Sequence, residues 1–380
     1  MKRILALFLC GLICLSAAGC SLSSGQEVPV DSASPAAGDR SPVKAAQSVN
    51  NTLVLGAAEF SGVFSPFFAT TGYDYEVVDL VFAKLWSNDR QGAPTGNLAR
   101  YAEPVENVDG EGNVISTTYT FELVENAKFS DGTPVTADDV IFTFKVLCDP
   151  FYDGPSTLYT TPIAGLKEYR YDDENYAETI SGLEAQAAAY EPSEEEIQAA
   201  AQEWADFNGM TKEEFLPGTG MYDAYVLPEI RTLHYQTLEQ EYIASSLSSG
   251  GNRVPEIAGI EKVDERTVAV TIEGVDPKAV WNLGGVQVVP RSYYGENFKK
   301  GDLSGVKARN SAPMGAGAYV FESYENNLVT LGANENYFKG ARHPHNQVPG
   351  DSDSQQIRGR PAGRIRYLRS ARQPGDGGAG

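Results

Sequence analysis

Apolar and polar residues alternate from Val114 to Phe129, setting Tyr119, Phe121 and Leu123 on one face and Thr118, Thr120 and Glu122 on the other. A period of two with one apolar face predicts a half-buried strand. Ser130-Asp131-Gly132 reads as a turn. Thr136 then offers an N-cap oxygen with Asp139 three residues on, and Val140, Ile141, Phe144 and Leu147 recur at helical spacing, so a capped helix is predicted directly after the strand. A second box, Ser193 and Glu196, precedes Ile197, Ala200, Ala201, Trp204 and Phe207, the spacing of an amphipathic helix. Ile260 to Val263 and Arg266 to Ile272 predict two alternating strands joined at Asp264-Glu265, and Thr52 to Leu55 is a short β-prone run. The pattern is that of a mixed α and β body.

The first residues follow another rule. Lys2 and Arg3 lead into Ile4 to Leu15, an apolar run of 12 residues, too short to span a hydrocarbon core of ~30 Å as a helix. It reads as the h-region of a secretion signal. Ala17, Ala18 and Gly19 then precede Cys20, an arrangement that resembles a bacterial lipoprotein signal in which the cysteine is lipidated. Ser21 to Asn50 is rich in Ser, Ala, Pro, Gly and Asp with almost no large apolar residue, the composition of a flexible tether. Of the four cysteines, Cys10, Cys14 and Cys20 fall in the first 20 residues, which leaves Cys148 without an intramolecular partner.

Composition narrows the partners. The chain of 380 residues carries 51 Asp and Glu against 30 Lys and Arg, a net charge of −21. No basic stripe that could track phosphates appears in the bulk of the chain, so nucleic acid is excluded as a partner. The last 40 residues differ: Ala341 to Gly380 holds seven Arg, no Lys, three Asp and no Glu, a charge of +4 that leaves −25 on residues 1–340. With no helical or strand period in view, this tail is read as anomalous and out of frame.

The stretch Lys128 to Phe142, KFSDGTPVTADDVIF, within Tyr119 to Phe144, resembles the signature of the family 5 extracellular solute-binding proteins (peptide/nickel-type) of ABC importers. Three further blocks stand in the family's order: Ile257 to Ile272, Val286 to Gly295, and Pro313 to Tyr324 followed by Asn334 to Gly340. The resemblance implies an α/β, two-lobed periplasmic-binding-protein-like (type II) fold. It also implies that the second lobe continues well beyond Gly340, so the chain is read as C-terminally truncated with that lobe incomplete. The expected division is 1–20 signal, 21–50 tether, 51–290 lobe one, 291–340 the start of lobe two and 341–380 the basic tail.

What the resemblance implies of function is a monomeric, lipid-anchored receptor on the extracytoplasmic face of the cell membrane, attached through Cys20. It captures a short peptide by hinge closure and delivers it to ABC permease subunits. Carriers of nickel, haem or sugar in the same family share these motifs, and a secreted hydrolase is the rival from another class. Position within the family pattern places Tyr73 and Asp74, Tyr152 and Tyr159, and Trp281 in the ligand-binding cleft.

No catalytic chemistry is expected: the reading is not an enzyme, with no cofactor and no metal. His343 and His345 flank a proline with no third ligand in view, and His234 reads as structural or surface. Cys148 has no base nearby in sequence. Gly315-Ala316-Gly317 precedes a β-prone run instead of the helix a dinucleotide loop requires. Asp138-Asp139 fits a helix N-terminus, and Asp172-Asp173-Glu174 a polar turn.

Overall fold

The computed structural model describes residues 52–57, 59–249, 252–340 and 364–369. The expected signal, Cys20, the tether, His343, His345 and most of the tail lie outside the described residues. The strands are β1 (Thr52–Ala57), β2 (Trp86–Asn88), β3 (Pro94–Gly96), β4 (Ala99–Arg100), β5 (Val105–Val108), β6 (Val114–Leu123), β7 (Ile260–Lys262), β8 (Thr267–Glu273), β9 (Tyr319–Glu325), β10 (Leu328–Ala333) and β11 (Arg364–Arg369). The α-helices are α1 (Gly72–Val81), α2 (Ala137–Leu147), α3 (Leu166–Tyr171), α4 (Tyr176–Ala188), α5 (Glu194–Asn208), α6 (Leu227–Ser248), α7 (Ala279–Gly284), α8 (Arg291–Tyr294) and α9 (Ser304–Lys307). The α/β class is the one the pattern predicts.

β6 forms where the alternation begins, with Thr117, Tyr119, Phe121 and Leu123 buried on one face. It pairs antiparallel with β8, whose Val268, Val270 and Ile272 are also buried, and β8 pairs with β7 as the predicted two-strand unit. β4 and β5 pair with β6 at its two ends, completing a five-stranded sheet.

α2 begins at the predicted cap. The Asp139 carboxylate accepts from Thr136 N (2.8 Å) and Thr136 Oγ1 (2.7 Å), and also from Arg291 N (2.8 Å) at the start of α8. One turn later Thr143 Oγ1 accepts from Val289 N (3.1 Å), and on the outer side Lys262 Nζ reaches Asp138 (3.0 Å). The other motif blocks close on the same region. Ser130 N donates to Gly315 O (3.0 Å), Gly317 N to Val81 O (2.8 Å), Asn334 Nδ2 to Gly317 O (2.7 Å) and Asn336 Nδ2 to Ser130 O (3.1 Å). A Cβ on Gly315 or Gly317 would run into the carbonyls at the end of α1, so these glycines permit backbone to lie against backbone.

Tyr294, Leu303, Val306, Tyr319, Val329 and Leu331 share one apolar cluster with Phe60 through Val289. The tail, expected to hold no strand period, contributes β11, which lies between β1 (parallel) and β10 (antiparallel) in a four-stranded sheet ordered β1-β11-β10-β9. Ile365, Tyr367 and Leu368 in the six residues from Arg364 supply β propensity that overall composition hides.

Residues 173–249 leave this core as a helical insertion. α5 starts at the predicted box, where Ser193 N donates to Glu196 Oε2 (2.8 Å) and Ser193 Oγ accepts from Glu196 N (3.3 Å), and it ends at Gly209 in the left-handed region (φ 64°). The insertion has small cores of its own. In one, Ile197, Ala201, Ala205, Phe215, Tyr222, Val226 and Ile230 pack together; in the other, Leu183 and Ile243 meet Tyr171 of α3. His234 stacks on Tyr190 at 3.8 Å between ring centroids.

The insertion joins the body at a buried ion pair. Asp172, at φ 54° after α3, is fully buried and accepts from Lys300 Nζ (2.5 Å) and Val254 N (2.9 Å). Lys300 also donates to Tyr169 O (3.1 Å) and Val254 O (2.8 Å) and sits 4.7 Å from the Tyr169 ring centroid. Burial alone would raise the Asp172 carboxyl, but hydrogen bonds from Lys300, Val254 and Arg253 hold it below the usual range, whereas burial pushes the Lys300 amine down. Asp172 is therefore not the solvated turn residue its neighbours suggested.

Candidate functional site

The five cleft residues expected from the sequence and described here fall in three settings, and only some face outward. Tyr73, in the first turn of α1, is 39% exposed, and its ring lies edge-on to Phe60 at 6.4 Å. Phe60 follows β1 by three residues and also meets Phe64 and Tyr324 at 5.8 and 6.0 Å. Along α1, Tyr75 and Asp79 are also exposed; burial, then the Asp79 charge, raises the Tyr75 phenol. No strand pairs with the outer edge of β1 among the described residues.

Asp74 does not join this surface. Its side chain is fully buried, accepting from Ser61 Oγ (2.6 Å), Ser61 N (3.2 Å), Gly62 N (3.3 Å) and the Thr71 hydroxyl, while Asp74 N donates to Thr71 Oγ1 (3.2 Å). Thr71 caps α1, and the Asp74 carboxylate ties the 61–62 loop to that cap, with both oxygens engaged. A signal was in the chain: Thr71-x-x-Asp74 has the spacing of Thr136-x-x-Asp139, although here the carboxylate takes Ser61 N and Gly62 N instead of the cap residue's own N–H.

Tyr152 is likewise inward. Its hydroxyl donates to Phe67 O (2.5 Å) and accepts from Ser156 N (3.3 Å), and burial raises its pKa. Tyr159, 36% exposed, lies beside it at 6.5 Å, with the Arg170 guanidinium 4.9 Å from its ring centroid. Arg170 is itself fixed by the carbonyls of Cys148 (3.2 Å), Asp149 (2.8 Å) and Pro150 (3.3 Å). A depression of about 100 Å³ near Tyr152 is lined by Pro66, Phe67, Ser156, Asn282 and Gln287 among others. Gln287 Nε2 donates to Asp79 (2.9 Å) and Asn282 Nδ2 to Thr161 (3.3 Å). These amides lie inside or next to the recognised block at Val286 and escaped the sequence reading because nothing local marks a polar side chain that folding brings to a surface.

Trp281, 48% exposed on α7, stands elsewhere, on a groove of about 530 Å³ that Thr117 and Tyr119 of β6 also line. The structure thus brings Tyr152 and Tyr159 together and sets Trp281 apart. Cys148 is fully buried and its thiol is pushed up to about 12, chiefly by burial, which makes it a packed side chain and no nucleophile. Among the described residues no three His, Cys, Asp or Glu gather as metal ligands, and no helix is long and apolar enough to cross a membrane.

Of the five expected residues, Tyr73, Tyr159 and Trp281 present exposed rings, and the outer edge of β1 is unpaired among the described residues. The chain belongs to the bacterial extracellular solute-binding proteins, family 5 (Middle), whose sequence profile matches residues 115–348. It is 39% identical over 79 residues to the periplasmic oligopeptide-binding protein OppA of Salmonella typhimurium, covering 21% of this chain and 13% of that one. Among solved structures it is similar to Listeria monocytogenes OppA bound to peptide (15% identity, TM-score 0.46, 85% of this chain and 43% of that one). It is also similar to the Escherichia coli murein tripeptide binding protein MppA (17% identity, TM-score 0.43, 84% and 42%). The chain therefore spans less than half the length of these relatives.

Proposed function

We propose that the chain is the extracytoplasmic solute-binding component of an ABC importer, anchored by lipid at Cys20, that captures short peptides between two lobes and passes them to permease subunits. Membership of family 5 carries this reading. The described body, with one continuous core from Phe60 to Phe338, corresponds in this proposal to one side of the cleft. A peptide backbone would add to the open edge of β1, and Tyr73 and Tyr159 would offer ring faces to its side chains. Asp74 and Tyr152 would act behind them, fixing the loops on which those rings stand.

The test is a thermal-shift and calorimetric screen of the full chain against mixed tri- to pentapeptides, monosaccharides and nickel chelates. Peptides are expected to raise the melting temperature progressively, with the logarithm of concentration once the site is occupied, and Tyr73→Ala to weaken that response. Silence with every peptide, or a shift with sugars or nickel alone, would overturn the peptide reading. Metabolic labelling with palmitate, lost in Cys20→Ser, tests the anchor separately.

A further inference from the structure

The groove beside Trp281 has walls unlike the rest of the surface. Tyr101, Tyr119 and Trp281 supply aromatic faces, and Glu103, Glu106 and Asp276 supply carboxylates. No lysine or arginine nitrogen comes within ion-pair distance of these three carboxylates among the described residues. Arg100, three residues from Glu103, pairs instead with Glu122 at 2.9 Å, and Lys278, two residues from Asp276, gives that carboxylate its backbone N–H (2.9 Å) but no ion pair among the described residues. The rings are held in place: Trp86 packs on Tyr101 at 4.9 Å and donates Nε1–H to Arg100 O (3.0 Å), and Trp281 donates to Gly92 O (3.4 Å).

A second observation points into the groove. Tyr119 is 4% exposed, yet its hydroxyl makes no hydrogen bond among the described residues. Burial raises the Tyr119 phenol first, followed by the negative charges of Asp276 and Glu106 and the neighbouring Tyr101. The hydroxyl oxygen is open to the groove, and without a protein partner it is an available hydrogen-bonding position. Aromatic faces and unneutralised carboxylates both favour a cation, and a hydroxyl oxygen between them favours one that carries N–H groups.

We propose that this groove binds a primary alkylammonium group, its chain against Trp281 and Tyr101 and its ammonium among Glu106, Asp276 and the Tyr119 hydroxyl. The volume is that of a small-molecule site. The site is separate from the peptide surface and does not depend on the peptide reading.

The experiment titrates the full chain with n-butylammonium, using n-butanol as the neutral control, and reads ligand-observed NMR and tryptophan fluorescence. Saturable binding of the ammonium is expected, weakened by salt. Trp281→Ala is expected to raise Kd about tenfold and Tyr119→Phe about threefold. Tyr119→Phe removes only an unpartnered hydroxyl, so folding is not at issue, and Glu106→Gln serves as a third variant on an exposed residue. Equal binding of n-butanol, no saturable binding at tens of millimolar, or an unchanged Kd in all three variants would overturn the proposal.

Discussion

In the body, the Asp139 carboxylate reaches Arg291, 152 residues along the chain, while in the insertion the Glu196 carboxylate reaches only Ser193 and Tyr190, three and six residues away. The same box chemistry opens a helix in both places. In α2 it also locks that helix to a distant block, and the surrounding motif residues repeat the device through Thr143, Ser130, Asn334 and Asn336. The insertion is held by contacts of shorter span within itself, such as Tyr242 Oη to Asp173 (2.7 Å, 69 residues apart), with sixteen carboxylates against two basic residues over 173–249. A segment of that kind owes its stability to local pattern and self-repulsion held in check, and the body to long-range closure.

The sharpest way to break this contrast is to empty one core at a time. Phe144, fully buried in α2, sits in the large cluster; Trp204 of α5 packs on Phe215 and Tyr225 at 6.3 and 5.0 Å. Phe144→Ala is expected to cost about 4 kcal/mol and to lower protection across the whole body. Trp204→Ala should raise hydrogen exchange in 173–249 alone. If exchange by mass spectrometry rises everywhere in both variants, the two regions are one cooperative unit and the contrast fails.

This contrast also explains what was legible. β6, α2, α5 and the β7–β8 pair were readable because each is written in a local period or cap, and the blocks around Asp139, Gly317 and Asn334 were recognisable because their residues serve contacts with little tolerance for change. The surface that would meet a ligand is not written that way. Tyr73 and Tyr152 are both tyrosines in loop-rich sequence, yet one is exposed and the other donates its hydroxyl to Phe67 O, a difference made by a residue 85 positions away. β11 was hidden for the opposite reason, since a six-residue strand is diluted in a tail whose Gly and Arg content dominates any average.

Lys300 lies where the two regions meet, with its side chain 3% exposed and that of Asp172 fully buried. Lys300→Met keeps the stem and removes the charge, leaving the Asp172 carboxylate with Val254 N and a longer contact to Arg253 at 3.7 Å. Because some support remains, the cost should fall near the low end for a broken buried pair, about 3 kcal/mol by chemical denaturation. The double variant Lys300→Met with Asp172→Leu should recover much of it. A single variant as stable as the parent would mean that the pair does not join insertion to body.

The smallest effect tests the caps themselves, and pH supplies the sign. The Ser193 hydroxyl and backbone, with Tyr190, hold the Glu196 carboxyl below its usual value of 4.5. A carboxyl depressed in the folded state contributes stability above that value and loses it as pH falls through the lower folded pKa, because the unfolded chain binds more protons there. Asp139 has the opposite sign. Burial raises its carboxyl above the usual 3.8, so the folded body takes up the proton first and its contribution grows as pH falls. Ser193→Ala should therefore speed exchange at the start of α5 about fivefold at pH 7, with little change in α2, and the factor should shrink at a pH acid enough to protonate Glu196. An equal factor at both pH values, after correction for intrinsic exchange, would mean that the cap works without its charge and that acid does not separate the insertion from the body.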